Sequence, residues 1–160
     1  MIPEQKRFMR IALKEADAAA MIGEVPIGAV VVKGTQIVGT GHNLRELSQN
    51  ATDHAEMIAI QEACAALHSW RLEDCDLYVT IEPCIMCAGA MINARMHHLY
   101  YGAPDYKAGA VDSLYHVLSD SRLNHQVKVT SGIYRSAAAQ KMRNFFRRAR
   151  HIRKLQRKNK

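Results

Sequence analysis

Residues 75–103, CDLYVTIEPCIMCAGAMINARMHHLYYGA, constrain the fold more than any other part of the chain. CDLYVTIE is β-branched and aromatic, which predicts a strand over 75–82. PCIMCAGAMINAR places proline at a first helical position and predicts a helix over 83–95. HHLYYGA predicts a second strand over 97–103. Strand, helix and strand in that order make a parallel crossover, because parallel strands need a long connection. Upstream, IGAVVVKGTQIVGTGHN (27–43) reads as two strands around a Lys33-Gly34-Thr35 turn, an antiparallel edge. VKVTSGI (127–133) supplies a fifth strand. Phe8, Ile11, Ala12, Ala16 and Ala19 recur at helical spacing within 4–21, and further helices are expected over 54–68 and about 136–157. Residues 104–126 read as irregular, with one short helix near SLYHVLS. The expected fold class is α/β, a three-layer α/β/α arrangement with a central mixed five-stranded sheet.

The chain has 160 residues, 48% of them hydrophobic, with no internal repeat or linker-like break. A single globular domain over 1–160 is expected. No apolar run approaches the roughly 20 residues of a membrane helix, and MIPEQKRFMR lacks the apolar core of a secretory signal. A cytoplasmic location is the expectation. There the four cysteines stay reduced, so a close pair of them points to a metal or redox site.

Cys84 and Cys87 are such a pair. Three residues apart on a helix, they share a face. Near the helix's positive end a thiolate is favoured. His54-Ala55-Glu56 stands where another helix begins. One reading of Asp53-His54-Ala55-Glu56 is a capping box, with Asp53 as N-cap and Glu56 reaching back. The other joins His54 to Cys84 and Cys87 as three zinc ligands, with one position left for water and Glu56 as the base beside it. Cys64 reads as a small core residue, and neither it nor Cys75 has a spacing partner. Residues two apart on a helix point about 200° apart, so His54 and Glu56 can serve one site only if His54 lies at the cap, outside the helix proper.

The combination His54-x-Glu56 with Pro83-Cys84-x-x-Cys87 resembles the signature of the zinc-dependent cytidine/deoxycytidylate deaminase superfamily. Within it, EVPIGAVVV (24–32), GHNLRE (41–46), DHAEMIAI (53–60), LYVTIEPCIMCAGAMINAR (77–95), YGAPDYKAGAVDSL (101–114), NHQVKVTSGI (124–133) and FFRRAR (145–150) resemble, in order, the segments of bacterial tRNA-specific adenosine deaminases, the TadA group. The resemblance implies a cytidine deaminase-like fold. It implies hydrolytic deamination of adenosine to inosine at the wobble position of a tRNA anticodon, using a zinc-activated water. It assigns one zinc per subunit to His54, Cys84 and Cys87, and proton shuttling to Glu56. Asn43 would bind the flipped base, Asp105 would lie near the nucleotide backbone, and the protein would be a homodimer.

The net charge of +7 is concentrated at one end. Residues 141–160 hold ten Lys or Arg and no acid, which leaves 12 basic against 15 acidic residues in 1–140. Met142, Phe145, Ala149 and Ile152 form an apolar row that would pack this helix, and the final KLQRKNK is expected to fray. The basic face suits the phosphates of a tRNA anticodon stem-loop. Arg147, Arg148 and Arg150 are candidates for those phosphates, and Phe145 or Phe146 for a stacked base. Two other functions remain open at this point. One is deamination of a free nucleobase or nucleoside such as cytosine, cytidine or guanine, which has no use for the basic helix. The other is a non-catalytic zinc-stabilised RNA-binding module, which has no use for Glu56.

Overall fold

The computed structural model describes residues 3–160. Helix α1 spans Pro3–Met21 and leads into the hairpin of β1 (Gly28–Lys33) and β2 (Gln36–His42). After a single turn, α2 (Arg45–Ser48), come α3 (Ala55–Leu67), β3 (Cys75–Ile81), α4 (Ile85–Asn93) and β4 (His98–Ala103). A 3₁₀ turn at Val117–Ser119, β5 (Lys128–Ser131) and α5 (Arg135–Lys158) complete the chain.

The five strands form one sheet in the order β2-β1-β3-β4-β5. β1 pairs antiparallel with β2 and β3, while β3, β4 and β5 run parallel. This is the mixed sheet expected, with the antiparallel hairpin at one edge and the crossover through α4 in the middle.

Helices cover both faces. Val31, Leu77, Val79 and Leu99 point to the layer of α3 and α4, where they meet Ala59, Ala63 and Met91. Val30, Val32, Tyr78 and Tyr100 point the other way, toward Phe8, Met9 and Ala12 of α1. Apolar residues at successive positions of β1 and β3 are therefore buried on both sides, as a central strand between two helical layers requires. Tyr78 and Tyr100 stack with centroids 4.5 Å apart, and His98 stacks on Tyr100 at 4.1 Å.

The packing of α3 on β2 is unusually close. A Cβ at Gly39 would fall 2.2 Å from the Ala59 carbonyl oxygen, and one at Gly41 2.3 Å from that of Ala55. Only glycine in the strand, opposite alanine in the helix, permits this approach. It draws the start of α3 onto the same end of the sheet where β2, β3 and β4 terminate. Asn43, Glu82 and Asp105, each just beyond one of these strands, are delivered to that end as well. Ligands of open α/β sheets bind at such strand ends.

Three sequence expectations are corrected here. Pro83 does not occupy the first helical position: Cys84 is the N-cap of α4, with the extended backbone of such a residue (φ −75°, ψ 177°). The Asp53 capping box does not form. His54 is the N-cap of α3, and Asp53 instead accepts from the Ser48 hydroxyl at 2.6 Å. The tail does not fray at KLQRKNK, since α5 continues to Lys158. Its Lys, Leu, Gln and Arg are good helix formers with no Gly or Pro to interrupt them. No helix among the described residues is long and apolar enough to cross a membrane.

Candidate active site

His54 and Cys84 both precede a helix with extended backbone, and neither side chain caps its own helix. Each is free to turn away from the helix it introduces. Cys87 lies one turn into α4 and is fully buried. The two sulfurs each stand 3.6 Å from His54 Nδ1. His54, Cys84 and Cys87 form a group whose ligand atoms all lie within 4.8 Å of one another. With bonds of about 2.3 Å to sulfur and about 2.0–2.1 Å to nitrogen, a tetrahedral zinc separates the two kinds of ligand by about 3.6 Å. The donor set fits the ion in chemistry and in spacing. Among the described residues no fourth metal-binding side chain joins the group. Cys75 is buried in the core and Cys64 packs against it, as the sequence indicated.

The electrostatics favour a cation. Hydrogen bonding from Cys87, assisted by His54, holds the Cys84 thiol far below the usual range, despite its burial. Cys87 is pushed upward by the same hydrogen bond and by burial. His54 is raised chiefly by its contact with Cys84. A thiol held low, as Cys84 is, is readily bound by a soft divalent ion as the thiolate.

Glu56 is buried beside this group. Burial pushes its carboxyl up to about 7, against the pull of its own backbone hydrogen bond and of His54. The angular objection to His54 and Glu56 acting together disappears, because ψ of 154° at His54 is extended rather than helical. Asn43, His54, Glu56, Cys84, Asp105 and Phe146 line one cleft of about 230 Å³. Ligand pockets for drug-sized molecules run to roughly 300–1,000 Å³. This cleft suits a single base better than anything larger.

Residues 3–150 match the model of the MafB19-like deaminase family. The chain belongs to that family. This deaminase is 51% identical over 154 residues to the tRNA-specific adenosine deaminase of Streptococcus pyogenes serotype M1, covering 96% of the chain and 90% of the relative. It is 46% identical over 156 residues to the tRNA-specific adenosine deaminase of Bacillus subtilis strain 168, covering 98% and 97%. A solved structure from work on A-to-I editing by tRNA:A34 deaminases at the wobble position superposes with a TM-score of 0.82 at 44% identity, over 84% of this chain and 98% of that one.

The remaining candidates in the deaminase divide into three groups: at the cleft, in a neighbouring groove, and on the exposed face of α5. Asn43 is buried at the cleft, its Nδ2 donating to Glu24 Oε2 at 3.4 Å and its Oδ1 accepting from the Arg45 N–H at 3.3 Å. Asp105 caps its own turn, with Oδ1 accepting from the N–H groups of Lys107 and Ala108. Of the α5 residues, Phe146 reaches the cleft. Phe145 and Arg148 line a neighbouring groove of about 420 Å³ between α1 and α5. Arg147 and Arg150 are exposed on α5 and line neither space.

Sequence reasoning missed Val25, Ile27, Arg45, Glu82 and Met142 among the residues that line the cleft. It also missed Glu24, which is buried and holds the start of α2 through the Leu47 N–H at 2.6 Å. The sequence signal for Glu24 is slight: a lone acid in EVPIGAVVV, four residues before β1 begins at Gly28.

Proposed function

We propose that this protein deaminates adenosine to inosine at the wobble position of a tRNA anticodon, releasing ammonia. The relatives at about half identity are named tRNA-specific adenosine deaminases, and the superposed structure comes from work on A-to-I editing at the wobble position. The observation that carries the reading from the structure is the juxtaposition of His54, Cys84 and Cys87 with a buried glutamate on the floor of a base-sized cleft.

In this reading His54, Cys84 and Cys87 hold one zinc ion, which supplies a water acidified toward neutrality. Glu56 would take one proton from the water as its oxygen adds to C6 and deliver it to the adjacent ring nitrogen; it would then take the proton left on the new C6 hydroxyl and pass it to the amino group, which departs as ammonia as the C6 carbonyl forms. A carboxyl raised to about 7 by burial both accepts and donates at neutral pH. Asn43, its amide orientation fixed by Glu24 and the Arg45 N–H, offers a directed hydrogen-bonding edge to the flipped base. Met142, Ile27 and Val25 supply apolar walls for that base. Asp105 stands at the rim for the ribose-phosphate, and Phe146 for stacking. Arg147, Arg148 and Arg150 project from α5 toward phosphates of the anticodon loop.

The whole chain acts as one deaminase domain in the cytoplasm. A homodimer, which the resemblance implies, is part of the proposal; light scattering in solution tests it. The activity itself is tested by incubating the zinc-loaded protein with an anticodon stem-loop and measuring inosine by mass spectrometry, with free cytidine and guanine assayed for ammonia release. Inosine from the stem-loop alone is expected. Turnover of a free base with none of the stem-loop would favour the small-molecule deaminases instead.

A further inference from the structure

Glu82 is a buried carboxylate that the deamination chemistry leaves unused. It follows β3 directly, is 3% exposed, and stands two residues before Cys84. Both oxygens face the segment 105–113. Oε1 accepts from the Asp105 N–H at 3.1 Å and from the Ser113 hydroxyl at 2.5 Å. Oε2 accepts from the N–H groups of Val111, Asp112 and Ser113 at 3.1, 2.9 and 3.0 Å. Consecutive amides converging on one oxygen form a concave anion-binding nest. Here the anion belongs to the chain itself. Gly109 lies so close that a Cβ there would stand 2.3 Å from Oε2. The segment is also tied to the metal-binding stretch, because the Ala110 N–H donates to the Pro83 carbonyl at 2.9 Å and Gly109 bridges to Cys84. Asp105 and Ala108, on the same segment, line the cleft.

We infer that Glu82 is a positioning residue for substrate: by filling the nest, it sets how deeply the 105–113 wall sits over the cleft and so how well a nucleotide fits against Asp105 and Ala108. The inference rests on the proposed deamination. All five partners are donors, so an acceptor-only carboxylate satisfies every one. Glutamine would turn an NH₂ group toward at least two of them and leave buried N–H groups unpaired.

The test compares the zinc-loaded wild type with Glu82→Gln and Ser113→Ala, measuring zinc per chain, kcat and KM on an anticodon stem-loop, and amide exchange over 105–113. Zinc stays near one per chain in both variants. KM rises about tenfold in Glu82→Gln and about threefold in Ser113→Ala, while kcat changes less than about twofold. Amide exchange at 111–113 accelerates by about tenfold or more in Glu82→Gln. An unchanged KM with kcat reduced in proportion to the folded fraction would mean that Glu82 merely stabilises the fold, and would overturn the inference. So would unaltered exchange. If Glu82→Gln does not accumulate as folded protein, Ser113→Ala decides by the same KM criterion. A wild type that makes no inosine would overturn the functional reading and leave the exchange measurement to judge the nest.

Discussion

His54 and Cys84 lie 3.6 Å apart, Nδ1 to Sγ, and each is the residue immediately before a helix. Two helix N-termini therefore converge on one point. Their partial positive charges favour thiolate there, and the extended backbone at both caps frees the two side chains from helical directions. The shared position makes a three-ligand cluster out of segments 30 residues apart.

Cys84→Ser should abolish both zinc and activity. Serine is a poor partner for a borderline-soft ion that Cys87 and His54 alone hold weakly. Elemental analysis of the purified variant should give below about 0.1 zinc per chain, with no inosine formed. Full zinc occupancy would contradict the ligand assignment.

Glu56→Gln separates chemistry from metal binding. Glu56 is no part of the three-ligand group, so zinc should remain while kcat falls about 10²- to 10⁴-fold, the range for loss of a general acid–base. Full activity with bound zinc would remove Glu56 from the proton transfers.

Gly41→Ala probes the close approach of α3 to β2. The new Cβ would meet the Ala55 carbonyl oxygen at 2.3 Å and the Ala59 nitrogen at 2.8 Å. Neither is a flexible group that can step aside. Urea titration should show a loss of about 1–3 kcal/mol, the usual cost of overpacking. Zinc affinity should weaken too, because α3 carries His54.

The acid limb of stability should depend partly on His98. Burial lowers its pKa, with His97 and Lys128 adding to the effect and Asp76 opposing it. The unfolded imidazole takes a proton near pH 6.5, and the folded one only at lower pH. The unfolded state thus binds more protons in that window, so stability falls as pH drops from above about 6.5 through the folded value. The urea midpoint should drop less between pH 7.5 and 5.5 (about one unit either side of that value) in His98→Gln than in wild type. An identical drop would remove His98 from the account.

Deleting 147–160 should weaken stem-loop binding and spare the zinc cluster. The segment carries most of the basic excess and lies beyond the cleft-lining part of α5. Binding measured across salt concentrations should lose slope by roughly 0.7 per single-strand phosphate contact removed. Equal affinity and slope would show that the basic face serves no RNA.

The sequence by itself determined most of the elements and singled out the candidate ligand set. Composition marked the three central strands, β1, β3 and β4, because strands buried on both faces need unbroken apolar runs, and the Lys33-Gly34-Thr35 turn marked β2 at the edge. The Cys84-x-x-Cys87 spacing and the His54-x-Glu56 pair named the cluster, because metal ligation demands particular atoms at particular intervals. What only the tertiary structure decided was where helices begin and what the buried carboxylates do. Pro83 and Asp53 are sound local starting signals, yet the helices begin at Ile85 and Ala55. The cap positions follow from three chain segments meeting at one sheet end, and no local pattern records that meeting. Glu24 and Glu82 find their partners 19–23 and 23–31 residues away along the chain. A buried charge is tolerable only where donors converge on it, and that convergence exists only once the loops have closed over the sheet.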